Sequence, residues 1–363
     1  MIKRNTLFYT GLCALSLLFV SARPILANLH HGQPEKVIRI LSIDGGGQRG
    51  IVPAALLSKI EEETGKPISA LFDVFAGTST GSIIAMGLTV PGNFGPRYTA
   101  KDIVRIYETQ GERIFEKGLQ YYTSLKGLIG PRYSPRNLKE ILRDHFGETP
   151  LSHAIKPVYA TAYDLESSTP VVFSSEAAKE DPSIDFSMRK ATRASSAAPS
   201  FFPPCRLSIG KSQKVSLSDG CFWALDPTEM VYERVRQENP GARIVVVSLG
   251  TGTQDISMNH ASSKSMGSLA WTGPFIGHLM HTQGHVARTR LKSEASLGRI
   301  DTYLRVNFTL DDDKGALDDT SPEGLAYLSS KAHDIMENDT SFAQVISLTK
   351  SWAKDLDGEG LGA

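Results

Sequence analysis

A serine between two glycines is the strongest candidate for a reactive group in this chain of 363 residues. Gly77-x-Ser79-x-Gly81 stands between an apolar run over residues 71–76, predicted as a strand, and a run over 82–88, predicted as a helix. In a nucleophile elbow the serine occupies a strained strand-to-helix turn, and the glycines on either side prevent collisions. The flanking elements favour such an elbow over an ordinary turn.

A second glycine-rich loop precedes the first. Gly45-x-Gly47-x-x-Gly50 follows a predicted strand over residues 36–43 and opens a predicted helix. Glycines at such a place let backbone N–H groups approach an anion at a helix N-terminus. The anion could be a dinucleotide pyrophosphate, with Asp73 holding the ribose, or the oxyanion of an acyl-transfer reaction. The loop alone leaves both readings open.

A serine nucleophile needs a base, and two kinds of residue could supply one. His278, His281 and His285 would share one face of a helix, as a triad base, as metal ligands, or simply as partly exposed residues of an amphipathic helix. Asp219 ends a strand predicted around residues 215–217, although Asp-Gly is also a common turn. The other histidines considered as a triad base are His260 and His333.

Strands and helices alternate along the chain. The predicted strands cover residues 36–43, 71–76, 158–163, 169–173, about 215–217, and 243–249, and helices are predicted over 51–63 and 82–88. This order predicts an α/β protein with three layers, α/β/α, around a central, mostly parallel sheet. The 39 Lys+Arg against 39 Asp+Glu, with 40% hydrophobic residues, exclude a disordered chain and argue against a nucleic-acid binder.

Residues 91–135 differ in composition from the rest of the chain. Glycine and proline breakers surround a predicted helix over 101–117 and a tyrosine pair, Tyr121 and Tyr122. We expect this segment to leave the sheet and to form a cap. The last residues, 351–363, end in DGEGLGA and are expected to form a flexible tail.

Three motifs, in this order, resemble those of the patatin-like phospholipases, a family of serine lipid acyl hydrolases. D-G-G-G-Q-R-G (44–50) resembles the family's oxyanion loop, G-T-S-T-G (77–81) its nucleophile elbow, and Asp219-Gly220 its catalytic aspartate. The likeness extends over about residues 36–350, which implies one large patatin-like domain rather than two.

The resemblance implies a catalytic dyad in which Ser79 attacks a carboxylic ester and Asp219 takes its proton, without a metal or cofactor. The residues implied for the oxyanion hole are Gly45, Gly46, Gly47 and Arg49. The implied substrate is a phospholipid or other glycerolipid, and the segment 91–135 is the candidate contact with the lipid surface. No nucleic-acid or nucleotide partner is expected, and the need for a protein activator stays open. The alternatives are a Ser-His-Asp esterase of the α/β-hydrolase type and a Rossmann nucleotide-binding protein.

Two cysteines follow the N-terminal region, and they could form one disulfide. Cys205 and Cys221 would suit adjacent strands of a hairpin, although two buried free thiols are equally compatible with the sequence. The family usually has Gly or Ala after the Asp-Gly motif. Because Cys221 takes that place, a bridge to Cys205 could fix the local turn.

The N-terminus has the layout of a secretory signal peptide. A short basic start is followed by an uncharged, largely apolar run over residues 6–20, and cleavage could follow Ala22 or, as we prefer, Ala27. An uncleaved membrane anchor is the alternative. We therefore expect a leader over 1–27, a linker over 28–35, and an exported protein, periplasmic or secreted. Loss of Lys3, Arg4 and Arg23 would leave 36 basic against 39 acidic residues, a net charge of −3.

Overall fold

In the part of the chain that the structure describes, eight strands form one sheet. This structure, a computed structural model, describes residues 36–210, 213–311 and 314–359. The strands are β1 (Val37–Ile43), β2 (Val74–Thr78), β3 (Val158–Asp164), β4 (Thr169–Ser174), β5 (Cys205–Ile209), β6 (Gln213–Asp219), β7 (Arg243–Leu249) and β8 (Thr302–Val306). The predicted leader and linker, residues 1–35, lie outside the described residues.

Parallel pairing dominates the sheet. Parallel pairs join β3, β2, β1, β7 and β8, in that spatial order. Antiparallel pairs add β4 and β6 to β3, and β5 to β6. The sheet is therefore mostly parallel, as the alternation of elements predicts, with an antiparallel margin at one side.

Helices cover both faces of this sheet. They are α1 (Ile51–Thr64), α2 (Ile68–Leu71), α3 (Thr80–Thr89), α4 (Ala100–Ile114), α5 (Leu119–Thr123), α6 (Pro135–Phe146), α7 (Ser175–Glu180), α8 (Met188–Ser195), α9 (Thr228–Glu238), α10 (His260–Ser263), α11 (Ser268–Ser296), α12 (Pro322–Asn338) and α13 (Thr340–Glu359). Among these described helices, none is both long enough and apolar enough to cross a bilayer.

Successive side chains of the central strands point to opposite faces of the sheet, and this produces two hydrophobic cores. In β1, Leu41 and Ile43 belong to the larger core, under α1, α3 and α13, whereas Ile38 and Ile40 belong to the smaller one, under α9 and α11. All four side chains are buried, because a strand with helices on both faces needs apolar residues at successive positions. The predicted three-layer α/β/α architecture is confirmed.

The segment 91–135 lies outside the sheet. Its longest helix, α4, begins with a capping box: Thr99 Oγ1 accepts a hydrogen bond from the Asp102 N–H, and Asp102 Oδ2 accepts one from the Thr99 N–H. The buried face of α4 packs on α1 and α6 through Ile103 and Tyr107. The segment therefore covers part of the molecule next to α3.

The predicted flexible tail is wrong for residues 351–359. Helix α13 continues to Glu359, and Trp352 is buried with its ring 5.4 Å from that of Phe72, in an edge-on contact. The Arg39 guanidinium lies 4.7 Å from the Trp352 ring. Burial of one large aromatic outweighs the polar, glycine-containing composition of the last turns.

Candidate active site

Ser79 lies at a sharp turn between β2 and α3. Its backbone has φ 54° and ψ −120°, in the left-handed region that a residue with a side chain rarely adopts. A Cβ on Gly77 would lie 2.2 Å from the Gly81 carbonyl carbon, and one on Gly81 would lie 2.1 Å from the Ile43 carbonyl oxygen. The turn therefore requires glycine at both positions, which is the geometry of a nucleophile elbow.

The strand register brings Asp219 next to this turn. On β3, Thr161 pairs with Thr78, the last residue of β2, and the next residue, Ala162, pairs with Asp219, the last residue of β6. The Thr78 hydroxyl contacts the Thr161 hydroxyl at 2.6 Å. Ser79 directly follows the end of β2, and Asp219 is the end of β6. Both strand ends pair with consecutive residues of β3, and this pairing makes Ser79 and Asp219 neighbours.

Burial makes the Asp219 carboxylate a stronger base than an exposed one. It is 1% exposed, and desolvation raises its pKa to about 6, although the Ser79 hydroxyl and the Cys221 N–H partly oppose this rise. Oδ1 accepts a hydrogen bond from the Cys221 N–H at 2.8 Å. Oδ2 is buried and makes no hydrogen bond of ordinary geometry with the described residues, so one oxygen is available to the serine hydroxyl.

One short segment at the end of α8 holds both residues. The Ser79 N–H donates to Ser195 Oγ at 2.9 Å, and the Asp219 N–H donates to the Ala197 carbonyl oxygen at 3.1 Å. The Arg193 guanidinium, 4% exposed, adds a positive charge that lowers the pKa of Asp219. Sequence reasoning missed the positioning role of this segment, because Ser195 and Ser79 lie more than 100 positions apart in the chain.

The glycine loop at the end of β1 offers two backbone donors rather than three. The Gly45 N–H donates to the Leu225 carbonyl oxygen at 3.0 Å, so the prediction that it binds the oxyanion is wrong. A Cβ on Gly45 would lie 3.3 Å from Ser79 Cβ, and this glycine therefore permits close approach instead. The N–H groups of Gly46 and Gly47 donate to no acceptor among the described residues. They precede α1, whose N-terminus favours negative charge.

Arg49 lines the same cavity as this loop. Its Nε donates to the Gly315 carbonyl oxygen at 2.6 Å, and burial lowers the pKa of its guanidinium to about 10. The side chain stays cationic at neutral pH, so it adds positive potential where an oxyanion would form.

A buried ion cluster fixes the start of the glycine loop. Arg305, on β8, donates from Nη1 and Nη2 to the two oxygens of Asp44 at 2.7 and 2.5 Å, and its Nη1 lies 3.4 Å from Asp226 Oδ2. Burial and the charge of Asp226 raise the pKa of Asp44 to about 7 against the opposing pull of Arg305. Sequence motifs gave no sign of this pairing.

The serine, the aspartate and the glycine loop share one cavity of about 340 Å³. Most of its wall is apolar. Its apolar lining includes Ile83, Ile114, Phe115, Leu138, Phe201 and Phe202. Such a cavity suits a long hydrocarbon chain whose ester group reaches the polar end.

One of the candidate histidines reaches this cavity. His281, on α11, lines it, whereas His278 and His285 do not. In the described part of the chain, no histidine hydrogen-bonds to Ser79 or Asp219. His333 is exposed and pairs with Glu337 on its own helix, and His260 is exposed at the start of α10.

The residues do not form a dinucleotide site. Asp73, the predicted ribose ligand, lies at the opposite end of β2 from the glycine loop, where its Oδ2 accepts a hydrogen bond from the Arg39 N–H. A ribose bound at the loop could not reach it. The Rossmann alternative is therefore wrong on geometry.

Of the two alternatives for Cys205 and Cys221, a bridge or two free thiols, the structure has the free thiols, and the possible bridge is absent. Both thiols are free: Cys205 is buried in β5, and Cys221 is half-buried and lines the cavity. Cys205 pairs with Leu217, so the strand register aligns it with a residue before the Asp219 turn rather than with Cys221. The turn is held instead by the Cys221 N–H and Asp219 Oδ1.

No group of three or more His, Cys, Asp or Glu side chains within the described ranges is arranged to hold a metal ion.

Comparison with known proteins identifies the family. The family model described as patatin-like phospholipase matches residues 41–228, more than half of the chain. The chain belongs to the patatin-like phospholipase family. The matched range includes the glycine loop, the elbow around Ser79 and Asp219, all of which line the cavity.

Plant proteins are among the relatives of this chain. It is 30% identical to patatin-like protein 1 of Arabidopsis thaliana over 83% of this chain and 82% of the relative. It is also 30% identical to patatin-07 of Solanum tuberosum, over 65% of this chain and 67% of the relative. Another 30% identical relative, from Solanum tuberosum, is named probable inactive patatin-3-Kuras 1. Membership in the family supports lipid acyl hydrolase activity. A particular mechanism has to be argued from the side chains at the site.

Solved structures give a more distant likeness. Human GIVD cytosolic phospholipase A2 aligns with a TM-score of 0.44 and 10% identity, over 87% of this chain and 60% of that one. VipD from Legionella pneumophila aligns with a TM-score of 0.40 and 14% identity, over 89% of this chain and 67% of that one.

Proposed function

We propose that this protein hydrolyses carboxylic esters of phospholipids or other glycerolipids, in the manner of a phospholipase A, through a Ser79–Asp219 dyad. The observation that carries the proposal is the position of the Asp219 carboxylate beside the elbow serine, with one oxygen unpartnered among the described residues and a pKa raised to about 6 by burial. A carboxylate with that pKa is ionised at neutral pH and is a better base than an exposed aspartate.

The reaction follows in two halves. Asp219 accepts the Ser79 proton as Oγ attacks the ester carbonyl, and the N–H groups of Gly46 and Gly47 hold the oxyanion. Collapse of the tetrahedral intermediate releases the alcohol, which takes the proton from Asp219, and leaves an acyl-serine. Asp219 then deprotonates a water molecule that attacks the acyl-serine, and the proton returns to Ser79 as the fatty acid leaves.

The shape of the cavity supports a long acyl group. Its wall residues Ile83, Tyr107, Ile114 and Leu138 also line a second, almost entirely apolar recess of about 30 Å³ between α3, α4 and α6. A hydrocarbon chain that follows this wall would exchange water for apolar contact along its length, at about 0.8 kcal/mol for each buried methylene group.

Kinetics of single variants test the proposal. Ser79→Ala should remove hydrolysis of both a soluble short-chain ester and a dispersed phospholipid. Asp219→Asn should lower kcat by about 10² to 10⁴-fold, the usual contribution of a general base. Asp164→Asn is the matched control, because Asp164 is also a buried carboxylate at the end of a neighbouring strand but does not line the cavity. Full activity of either dyad variant would overturn the mechanism.

The same assay separates the dyad from a Ser-His-Asp triad. His281→Ala should keep the kcat of wild type on the soluble ester, because the base is Asp219. A loss as large as that of Ser79→Ala would favour the triad, since His281 lines the same cavity. Excess chelator should leave activity unchanged, because no step of the proposed mechanism uses a metal.

We also propose that the protein is exported, to the periplasm or the medium, on the basis of the leader pattern in residues 1–27. Its partner is a lipid surface, and we expect neither nucleotides nor nucleic acids to bind. The mass of the exported protein should correspond to cleavage after Ala22 or Ala27. A mature protein that keeps Met1 would contradict the leader.

A further inference from the structure

A loop near the end of the segment 91–135 exposes an unusual amount of apolar surface. In residues 119–129, here called the apolar loop, five large hydrophobic side chains are more than half exposed. They are Leu119, Tyr122, Leu125, Leu128 and Ile129. Contiguous exposed apolar side chains on a protein in water mark a contact surface.

The outward orientation is built into the loop. Ser124 is 6% exposed and points inward, where its Oγ accepts a hydrogen bond from the Gly127 N–H at 3.1 Å. The Lys126 N–H donates to the Tyr121 carbonyl oxygen at 2.9 Å, and Leu125 and Lys126 both have left-handed φ, 49° and 56°. A small polar residue therefore occupies the interior of the turn while its leucines face solvent, and the backbone accepts strain to keep them there.

Aromatic contacts connect the apolar loop to the catalytic cavity. The ring of exposed Tyr122 lies 5.4 Å from that of Tyr121, which lies 5.8 Å from that of Tyr133. Tyr133 in turn lies 5.4 Å from Phe115 and 6.3 Å from Phe201, and both of these phenylalanines line the cavity. Three ring contacts thus separate the exposed surface from the wall that an acyl chain would follow.

The charged residues of the loop and its flanking positions in sequence are all basic. Residues 117–134 contain Lys117, Lys126 and Arg132 and no Asp or Glu. Arg132 pairs with Asp318 at 2.7 Å, whereas Lys117 and Lys126 are exposed. Apolar side chains flanked by exposed lysines match the depth profile of a lipid surface, with acyl chains inside and phosphates outside.

We propose that the apolar loop docks the protein on a phospholipid surface, with Leu125, Leu128 and Ile129 among the acyl chains and Lys126 at the phosphates. Docking brings the lipid within three ring contacts of the cavity wall at Phe115 and Phe201, on the side from which an acyl chain would enter towards Ser79. This docking proposal rests on the proposed function, because it describes how a lipid substrate reaches the site of Ser79 and Asp219.

Vesicle binding tests the docking surface directly. Exported, leader-cleaved protein carrying Ser79→Ala, which leaves the vesicles intact, is mixed with phosphatidylcholine vesicles with and without phosphatidylglycerol, and the bound fraction is measured by flotation. The double variant Leu125→Glu/Ile129→Glu should bind about 10-fold more weakly or worse. Leu297→Glu, which adds a charge at a comparably exposed leucine outside the loop, should bind like the parent protein. Lys117→Ala/Lys126→Ala should lose only the additional binding that phosphatidylglycerol provides.

A soluble short-chain ester distinguishes failure of docking from failure of the proposed function. With Ser79 present, the loop variant should hydrolyse this ester at the wild-type rate and lose activity only on vesicles. Vesicle binding unchanged in the loop variant would overturn the docking proposal, and so would a protein that binds no vesicles. A dimer detected by light scattering that the loop variant abolishes, with vesicle binding unchanged, would assign the surface to a second copy instead. No hydrolysis of the soluble ester by wild type would contradict the proposed function alone.

Discussion

The backbone N–H of Ser79 donates a hydrogen bond of 2.9 Å to the Oγ of Ser195, a fully buried hydroxyl at the end of α8. This bond fixes the residue whose backbone has the left-handed φ of 54°. Because Ala197, two residues later, accepts the Asp219 N–H, the same segment sets the separation of the serine from its base.

We expect Ser195→Ala to slow catalysis as well as to destabilise the fold. Loss of the acceptor leaves the Ser79 N–H unpaired, which costs about 1–3 kcal/mol, and the misplaced serine should lower kcat by about 10 to 100-fold with little change in KM. Thr192→Val is the control, since Thr192 is also buried on α8, hydrogen-bonds within its own helix and does not line the cavity. Equal kcat in the two variants would remove the positioning role of Ser195.

The raised pKa of Asp219 predicts the acid limb of the pH profile. The base must be ionised to accept a proton, so kcat/KM should fall as pH drops through about 6, the pKa of this carboxyl. Arg193→Met, which removes the positive charge that lowers this pKa, should move the limb to higher pH. A limb near pH 4 in wild type would show that Asp219 is not desolvated in the working enzyme.

The same pKa shift has a consequence for stability. A carboxyl whose pKa is higher in the folded than in the unfolded state binds more protons when folded, so its contribution to stability falls as pH rises from about 4 to about 6. Asp219→Asn should therefore raise Tm at pH 8 and change it little at pH 4. Thermal unfolding at the two pH values measures the difference.

Much of the site was accessible to sequence reasoning because its motifs are local. The elbow glycines are required by contacts within one turn, so the spacing around Ser79 predicts the geometry. The alternation of strands and helices is also visible along the sequence itself, and it therefore predicts the parallel sheet. Residues that act across the fold gave no such signal: Ser195, Arg305 and the Leu225 carbonyl that engages Gly45 all depend on which strands become neighbours.

The errors of sequence reasoning have physical causes as well. Residues 71–76, predicted as one strand, contain the end of α2 and the start of β2, since an apolar run of this length suits either element. The predicted tail failed because burial of Trp352 depends on Phe72, which is remote in sequence. The thiols of Cys205 and Cys221 stay free because the strand register, which the sequence does not reveal, places Cys205 opposite Leu217 rather than Cys221.

Removing the charge of Arg305 should destabilise the protein strongly. Arg305→Met leaves two buried carboxylates, Asp44 and Asp226, without their cation, at a cost of about 3–5 kcal/mol. Arg305→Lys should restore little, because one ammonium group cannot replace the two-point contact with Asp44. Urea unfolding gives the free energies, and a loss below about 1 kcal/mol for Arg305→Met would contradict the role of this ion pair.

Both cysteines should react as thiols in the denatured, non-reduced protein. Alkylation of the denatured protein before any reduction should modify Cys205 and Cys221, and reductant should not change activity on a soluble ester. A peptide that joins the two residues in non-reducing mass spectrometry would contradict the free thiols.

Covalent trapping of the nucleophile tests the central claim most directly. The protein is treated with a fluorophosphonate, digested, and the adduct is located by mass spectrometry. The dyad predicts one adduct, on Ser79, formed at a rate that Asp219→Asn lowers by about 10²-fold or more. An adduct on another residue, or labelling of Ser79 at the same rate in the Asp219→Asn variant, would contradict the Ser79–Asp219 dyad.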